Sequence, residues 1–141
     1  AAKAACDLPV FCQMTYESNG RTVTGTDPAT AAIVLDKLGA AVIGANCSLG
    51  PEQLLEVVKI YHQYTEKPIS IQPNAGLPIF QNGETLFPMT PEELAHWAPQ
   101  LIEAGASYLG GCCGTTPLHI TAMKEACQSL TPPKAKQSKG L

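Results

Sequence analysis

The sequence predicts a parallel α/β fold of the kind that closes into a (βα)8 barrel, and three observations lead there. Short apolar runs that read as strands alternate four times with longer segments of helical period. The links from helix back to strand are short, at Gly39, Glu66-Lys67 and Gly105, whereas the long loops around Asn19 and from Asn74 to Pro88 both follow strands. Long loops at the carboxyl ends of parallel strands are where α/β proteins build sites. Finally, the stretch Gly39 to Pro51 aligns without a gap on Gly105 to Pro117, so that Cys47 falls on Cys113. A repeat between the second and fourth units suits a barrel, where alternate strands feed the same layer. An open doubly wound sheet is the alternative.

With 141 residues the chain can form one compact domain with a true core. Apolar residues make up 45% and charged ones only 15%, so most of the chain must be buried rather than solvated. A formal charge of −3 argues against a nucleic-acid footprint or an anionic membrane surface. No apolar run approaches the roughly 18 residues that span a bilayer. The start, Ala1 to Asp7, lacks the apolar stretch of a signal peptide and reads as the last turns of a helix.

Taken in order, Pro9 to Thr15 is the first strand candidate, followed by a polar loop with Ser18-Asn19-Gly20 and Gly25-Thr26-Asp27. Asp27-Pro28 opens a helix as an N-cap acid with proline behind it. Ala31, Val34, Leu35 and Leu38 recur at helical spacing, and Gly39 closes the helix. Ala40 to Ala45 is rich in small residues and does not alternate, as in a strand covered on both faces. A helix starts at Pro51 and runs to about Tyr64, with Leu54, Leu55, Val58 and Tyr61 as its buried stripe. Ile69 to Gln72 is the third strand, and Pro73 to Pro88 reads as a long irregular segment, more lid or substrate loop than linker. Thr90 and Glu93 are spaced as a capping box for a helix that ends at Gly105. The fourth strand, Ser107-Tyr108-Leu109, leads into Gly110-Gly111-Cys112-Cys113-Gly114, and a last helix runs from Pro117 to about Ser129.

The six cysteines decide the chemistry. Cys112 and Cys113 are adjacent, and a Cα separation of about 3.8 Å is too short for an ordinary disulfide. Free thiols in a reducing cytoplasm are the expectation. Cys6, Cys12 and Cys127 read as small buried hydrophobes. Cys47, Cys112 and Cys113 converge at one end of the sheet as a soft site for Zn²⁺. Three protein ligands with one position open is the catalytic pattern for zinc. Three thiolates make the centre a weak Lewis acid toward water and better suited to a soft incoming thiol, which loses its proton there yet stays nucleophilic. A glycine-rich phosphate cradle at Gly110 to Thr116 is the competing reading. His62, His96 and His119 fall on helices and read as packed or solvated rather than as ligands, and Tyr61, Tyr64 and Trp97 as core or half-exposed.

Three stretches, Gly44 to Pro51, Pro73 to Pro78 and Gly110 to Pro117, with Gly20-Arg21-Thr22 and Gly25, resemble the homocysteine S-methyltransferase family. The resemblance runs from the first residue to about Ser129, and the Asn74-Ala75-Gly76-Leu77-Pro78 loop is most similar to the family's cobalamin-dependent branch. Betaine- and S-methylmethionine-dependent relatives share the cysteines. The resemblance implies a TIM-type barrel of which residues 1–130 are the C-terminal half, four βα units, with 131–141 a disordered tail or linker. It implies that Cys47, Cys112 and Cys113 bind Zn²⁺ and that homocysteine's thiolate completes the site. That thiolate would attack a methyl group from methylcobalamin in a partner domain, supplied by methyltetrahydrofolate, to give methionine. The loop Asn74, Ala75, Gly76 is a candidate substrate contact. The N-terminal half-barrel, with acidic groups for the substrate amine, would come from elsewhere, or copies would self-associate to hide open strand edges. Folate and cobalamin domains are the other expected partners. A non-catalytic zinc-binding half-barrel is the reading from a different class.

Overall fold

The structure, a computed structural model, describes residues 1–131; the expected tail from residue 132 onward lies outside the described residues. The elements in chain order are α1 (Ala2–Ala5), β1 (Phe11–Met14), α2 (Pro28–Lys37), β2 (Val42–Asn46), α3 (Pro51–Tyr64) and β3 (Ile69–Gln72). They are followed by β4 (Ile79–Gln81), β5 (Glu84–Leu86), α4 (Pro91–Ala104), β6 (Ala106–Leu109) and α5 (Pro117–Ala126). Strands β1, β2, β3 and β6 form one sheet in that order, and every neighbouring pair is parallel. Right-handed crossovers through helices are how parallel strands connect, which is why strand and helix alternate.

One face of the sheet carries Cys12, Ile43, Ala45, Ile69, Ile71 and Leu109. These pack against Ala31 and Ala32 of α2, Leu54, Val58 and Tyr61 of α3, and Leu101 of α4. The small residues of β2 let α3 come close: the Tyr61 hydroxyl donates to the Gly44 carbonyl at 3.1 Å and lies 2.7 Å from the Tyr16 hydroxyl. Leu94, Ala98 and Met123 form a second cluster that joins α4 to α5.

The opposite face carries Phe11, Gln13, Val42, Gly44, Ser70 and Tyr108, which the register places side by side. An irregularity between β3 and β6 leaves Ser107 unpaired and returns Tyr108 to the side of Ser70. Phe11 and Tyr108 stand on the two outer strands, yet their ring centroids are 5.3 Å apart. In a flat sheet three strand spacings would separate their backbones by about 14 Å. The sheet therefore curls toward this face, as a barrel wall does, and Gln13 reaches across it to Ser70 at 2.9 Å.

Two expectations need correction. The stripe on α2 is shifted: Ala31 and Ala32 are buried with Pro28, while Val34 and Leu38 are exposed at 48% and 70%. Small residues let α2 sit close on the sheet, so the larger ones at the helical spacing point away. The segment from Pro73 to Pro88 is also not wholly irregular. It holds the antiparallel pair β4 and β5, turned at Asn82-Gly83 with both φ angles positive, at 52° and 83°. Asn-Gly is the strongest short hairpin signal, and it was legible.

The helix caps fall where the sequence places them. Thr90 and Glu93 form the reciprocal capping box, and Asp27 accepts from the Thr30 N–H at 2.9 Å. The Thr30 backbone N–H, then its hydroxyl, hold the Asp27 carboxyl below the usual carboxylate range. A lowered folded pKa means that the cap's contribution is full above the usual range and is lost as pH falls through the lowered value. Asp27→Ala should therefore be less stable than the parent at neutral pH. In acid melts the difference should shrink once pH passes below the usual carboxylate range; an advantage that grows in acid would contradict it.

Candidate metal centre

The centre sits where β2 and β6 end, on either side of β3. Cys47 directly follows β2 with φ 61°, and Ser48 follows with φ 60°. Two consecutive non-glycine residues in the left-handed region cost about 1–2 kcal/mol each. Such strain persists only where the surroundings fix it, and it concentrates at functional sites. Here the Cys47 N–H donates to the Gln72 carbonyl at 3.0 Å, and the Leu49 N–H closes back on the Cys47 carbonyl at 2.7 Å. In the second repeat Gly114 takes the place of Ser48 and is left-handed too, at φ 78°. The repeat thus extends to the backbone at this one position, whereas Cys113, unlike its counterpart Cys47, is not left-handed. At Gly114 only glycine fits, because a Cβ would run into the Phe87 side chain.

The loop after β3 threads between the two cysteine segments and ties them together. The Cys112 N–H donates to the Pro73 carbonyl at 2.9 Å, and the Cys113 N–H to Asn74 Oδ1 at 3.1 Å. The Ala75 N–H returns to the Cys113 carbonyl at 2.9 Å, and the Asn74 N–H reaches the Leu49 carbonyl at 3.0 Å. Asn74 is only 3% exposed. It touches both motifs, one through its backbone and the other through its side chain.

The result is convergence. The Cys47 and Cys113 sulfurs are 3.5 Å apart, those of Cys112 and Cys113 4.0 Å, and all three lie within 4.8 Å of one another. These separations are too long for a disulfide. Zn–S bonds of about 2.3 Å in a tetrahedron place sulfurs about 3.8 Å apart, a value that the 3.5 and 4.0 Å separations bracket. Among the described residues no fourth histidine, cysteine or carboxylate joins the cluster. The thiols also feel one another. Burial pushes the Cys47 thiol up, but the Ser48 N–H and the two neighbouring thiols outweigh it and lower the pKa overall. Cys113 is pushed up to about 11, first by its contact with Cys47 and then by desolvation and Cys112. The Cys47 thiol is thus held below the ordinary thiol value and the Cys113 thiol above it. A bound cation reverses that resistance, because it replaces the protons.

Cys12 packs against the main core and Cys127 against the second cluster, in keeping with their reading as small hydrophobes. Cys6 is a correction: it is exposed. It follows the single turn of α1, which buries none of its residues. His62 and His96 lie on α3 and α4, outside the cluster. His119 is packed, at 7% exposure, and holds Thr116 and Met89. Its structural part was missed, although Thr116 and His119 carry the N-cap to N3 spacing of a capping box.

Residues 1–127 match the sequence model of the family described as homocysteine S-methyltransferase. The methionine synthase of Mycobacterium tuberculosis is 35% identical over 137 residues, and the match covers 96% of this chain and 12% of that protein. The methionine synthase of Mycobacterium leprae is 35% identical over 139 residues with the same shares, 96% and 12%. Among solved structures, the homocysteine methyltransferase MmuM from Escherichia coli superposes with TM-score 0.64 in its apo form, at 26% identity, covering 82% of this chain and 39% of that one. Its metallated form gives TM-score 0.69 at 26% identity, covering 87% and 37%. The chain therefore spans only a small part of the relatives it matches.

Proposed function

The chain belongs to the homocysteine S-methyltransferase family, and on that premise we propose that it carries the thiol-activating centre of a zinc-dependent enzyme that methylates homocysteine to methionine. The observation that carries this reading is the convergence of the Cys47, Cys112 and Cys113 sulfurs within 4.8 Å, with no fourth ligand from the described residues. These three cysteines would hold Zn²⁺ and leave one position for the substrate sulfur. When bound there, zinc supplies a Lewis-acid position at which a thiol loses its proton near neutral pH and remains a nucleophile.

The chain's own part is to hold the donors still. Cys47 is fixed by the strained turn after β2, and the Cys112–Cys113 turn by Pro73, Asn74 and Ala75. The Asn74, Ala75, Gly76 loop borders the site and is our candidate for contact with the substrate. Its inner surface is spent on the cysteines, so the contact would come through the groups that remain. We assign residues 1–130 to one half of a (βα)8 barrel, because four parallel strands curl until Phe11 and Tyr108 touch across the sheet. The other half would close against β1 and β6, from a further segment or from a second copy. Methylcobalamin, carried by a separate domain and recharged from methyltetrahydrofolate, is the donor we favour. The identity to methionine synthases is 35%, against 26% to MmuM.

Homocysteine added to the zinc-loaded protein should release about one proton per molecule bound at neutral pH, because its thiol gives up a proton that free thiols keep. Methionine, whose sulfur has no proton, should release none. Binding of homocysteine without proton release would count against the centre as a thiol activator.

A further inference from the structure

We infer that His119 is a positioning residue: its imidazole holds the Cys112–Cys113 turn in its ligating shape and so sets how tightly the turn binds metal. The inference rests on the reading of the three thiols as a metal site. Its starting point is an inversion on α5. Leu118 and Ile120 are exposed at 70% and 44%, while the polar side chain between them, His119, is buried at 7%. A helix that turns a histidine inward and its leucine outward is using the ring for its nitrogens rather than for apolar burial.

Both nitrogens are committed. Nε2 lies 2.9 Å from the Met89 carbonyl, which can only accept, so Nε2 carries the proton. Nδ1 is then bare, and accepts from the Thr116 N–H at 3.1 Å, with the Thr116 hydroxyl at 2.9 Å. The partners thus fix a neutral ring with one tautomer. The two ends of this bridge belong to the same circuit. The Met89 N–H donates to the Ala75 carbonyl at 3.1 Å, and the Ala75 N–H donates to the Cys113 carbonyl at 2.9 Å. From Cys113 the chain runs through Gly114 and Thr115 to Thr116, back to the ring. Cys113, Ala75, Met89, His119 and Thr116 form a closed loop, and the imidazole is the one side chain that closes it. Pairs that orient metal ligands from outside the coordination sphere typically change affinity by about 10–100-fold when removed.

A bare helix-capping role is the competitor, and two variants separate it. His119→Gln keeps a carbonyl at the N3 position, able to accept from the Thr116 N–H as capping-box glutamines do, but it cannot reach Met89 at the same time. His119→Leu removes both bonds. Metal affinity is read by competition for Co²⁺ and Zn²⁺ against a chromophoric chelator, and fold by circular dichroism. Independently of metal, alkylation of Cys112 and Cys113 by iodoacetamide is followed by mass spectrometry, with exposed Cys6 as internal reference. In the parent, ¹⁵N NMR should show His119 protonated at Nε2. Positioning predicts that His119→Gln stays folded, binds metal at least about tenfold more weakly, and alkylates faster at Cys112 and Cys113 but not at Cys6. Parent-like affinity and alkylation in a folded His119→Gln would overturn it. If the parent takes up no metal, the metal reading fails by itself, and unchanged alkylation in both variants then removes the positioning role as well.

Discussion

Replacing Cys113 with alanine should remove tight metal binding and leave the fold intact. The side chain is exposed, and the polar contacts of its sulfur are the other two sulfurs of the cluster. Its loss opens no core cavity, so stability should change by no more than about 0.5 kcal/mol, as at other surface positions. The loss of a direct ligand should weaken zinc binding by more than the roughly 100-fold that outer partners cost. Cys47→Ala should do the same. Cys12→Ala should show the opposite profile, with a loss of stability from the core and unchanged metal affinity, because Cys12 packs on the helix side of the sheet. Equilibrium dialysis and urea melts on the three variants check both halves. Parent-like zinc affinity in Cys113→Ala would mean that the convergence of sulfurs is not the binding site.

The second large effect lies beneath the site, at Gly44. A Cβ there would run into the Ser70 carbonyl and the Gln13 side chain, and the glycine's own carbonyl accepts from Tyr61. Neither obstacle is the free end of a flexible chain. To admit a methyl group, β2 and β3 must move apart, and the two strands position Cys47 and the Pro73–Ala75 tie. Overpacking of this kind costs about 3 kcal/mol or more, at the upper end for an added methyl. Gly83→Ala is the useful comparison. It stands in open space at φ 83°, so only backbone strain of about 1–2 kcal/mol applies. Urea melts should rank Gly44→Ala as clearly the more damaging, with loss of metal affinity only in that variant. Equal costs would mean that the sheet yields at Gly44 more easily than its contacts indicate.

Much of the fold was legible because local signals agreed with one another. Asp27-Pro28, Gly50-Pro51 and Thr90-Pro91 each begin a helix, and the stripe Leu54, Val58, Tyr61 is buried. The gapless repeat placed Cys47 and Cys113 on alternate strands, and the structure brings their sulfurs together. Two kinds of information were not available from pattern alone. Val34 and Leu38 have the right spacing, but which flank of α2 meets the sheet is decided by how close the small residues Ala31 and Ala32 let it come. Likewise, Asn74 and His119 draw their importance from partners 39 and 30 residues away. No local period encodes such pairings. The hairpin at Asn82-Gly83 is a different case, since its turn signal was present and was masked by the prolines around it.

The central claim is that three cysteines hold zinc and the substrate's sulfur takes the fourth place. Zinc K-edge X-ray absorption on the loaded protein, without and with homocysteine, tests it most directly. The account predicts three sulfur neighbours at about 2.3 Å with one lighter ligand before addition, and four sulfurs afterwards. A first shell that already holds four sulfurs, or one that stays at three when homocysteine binds, would contradict it.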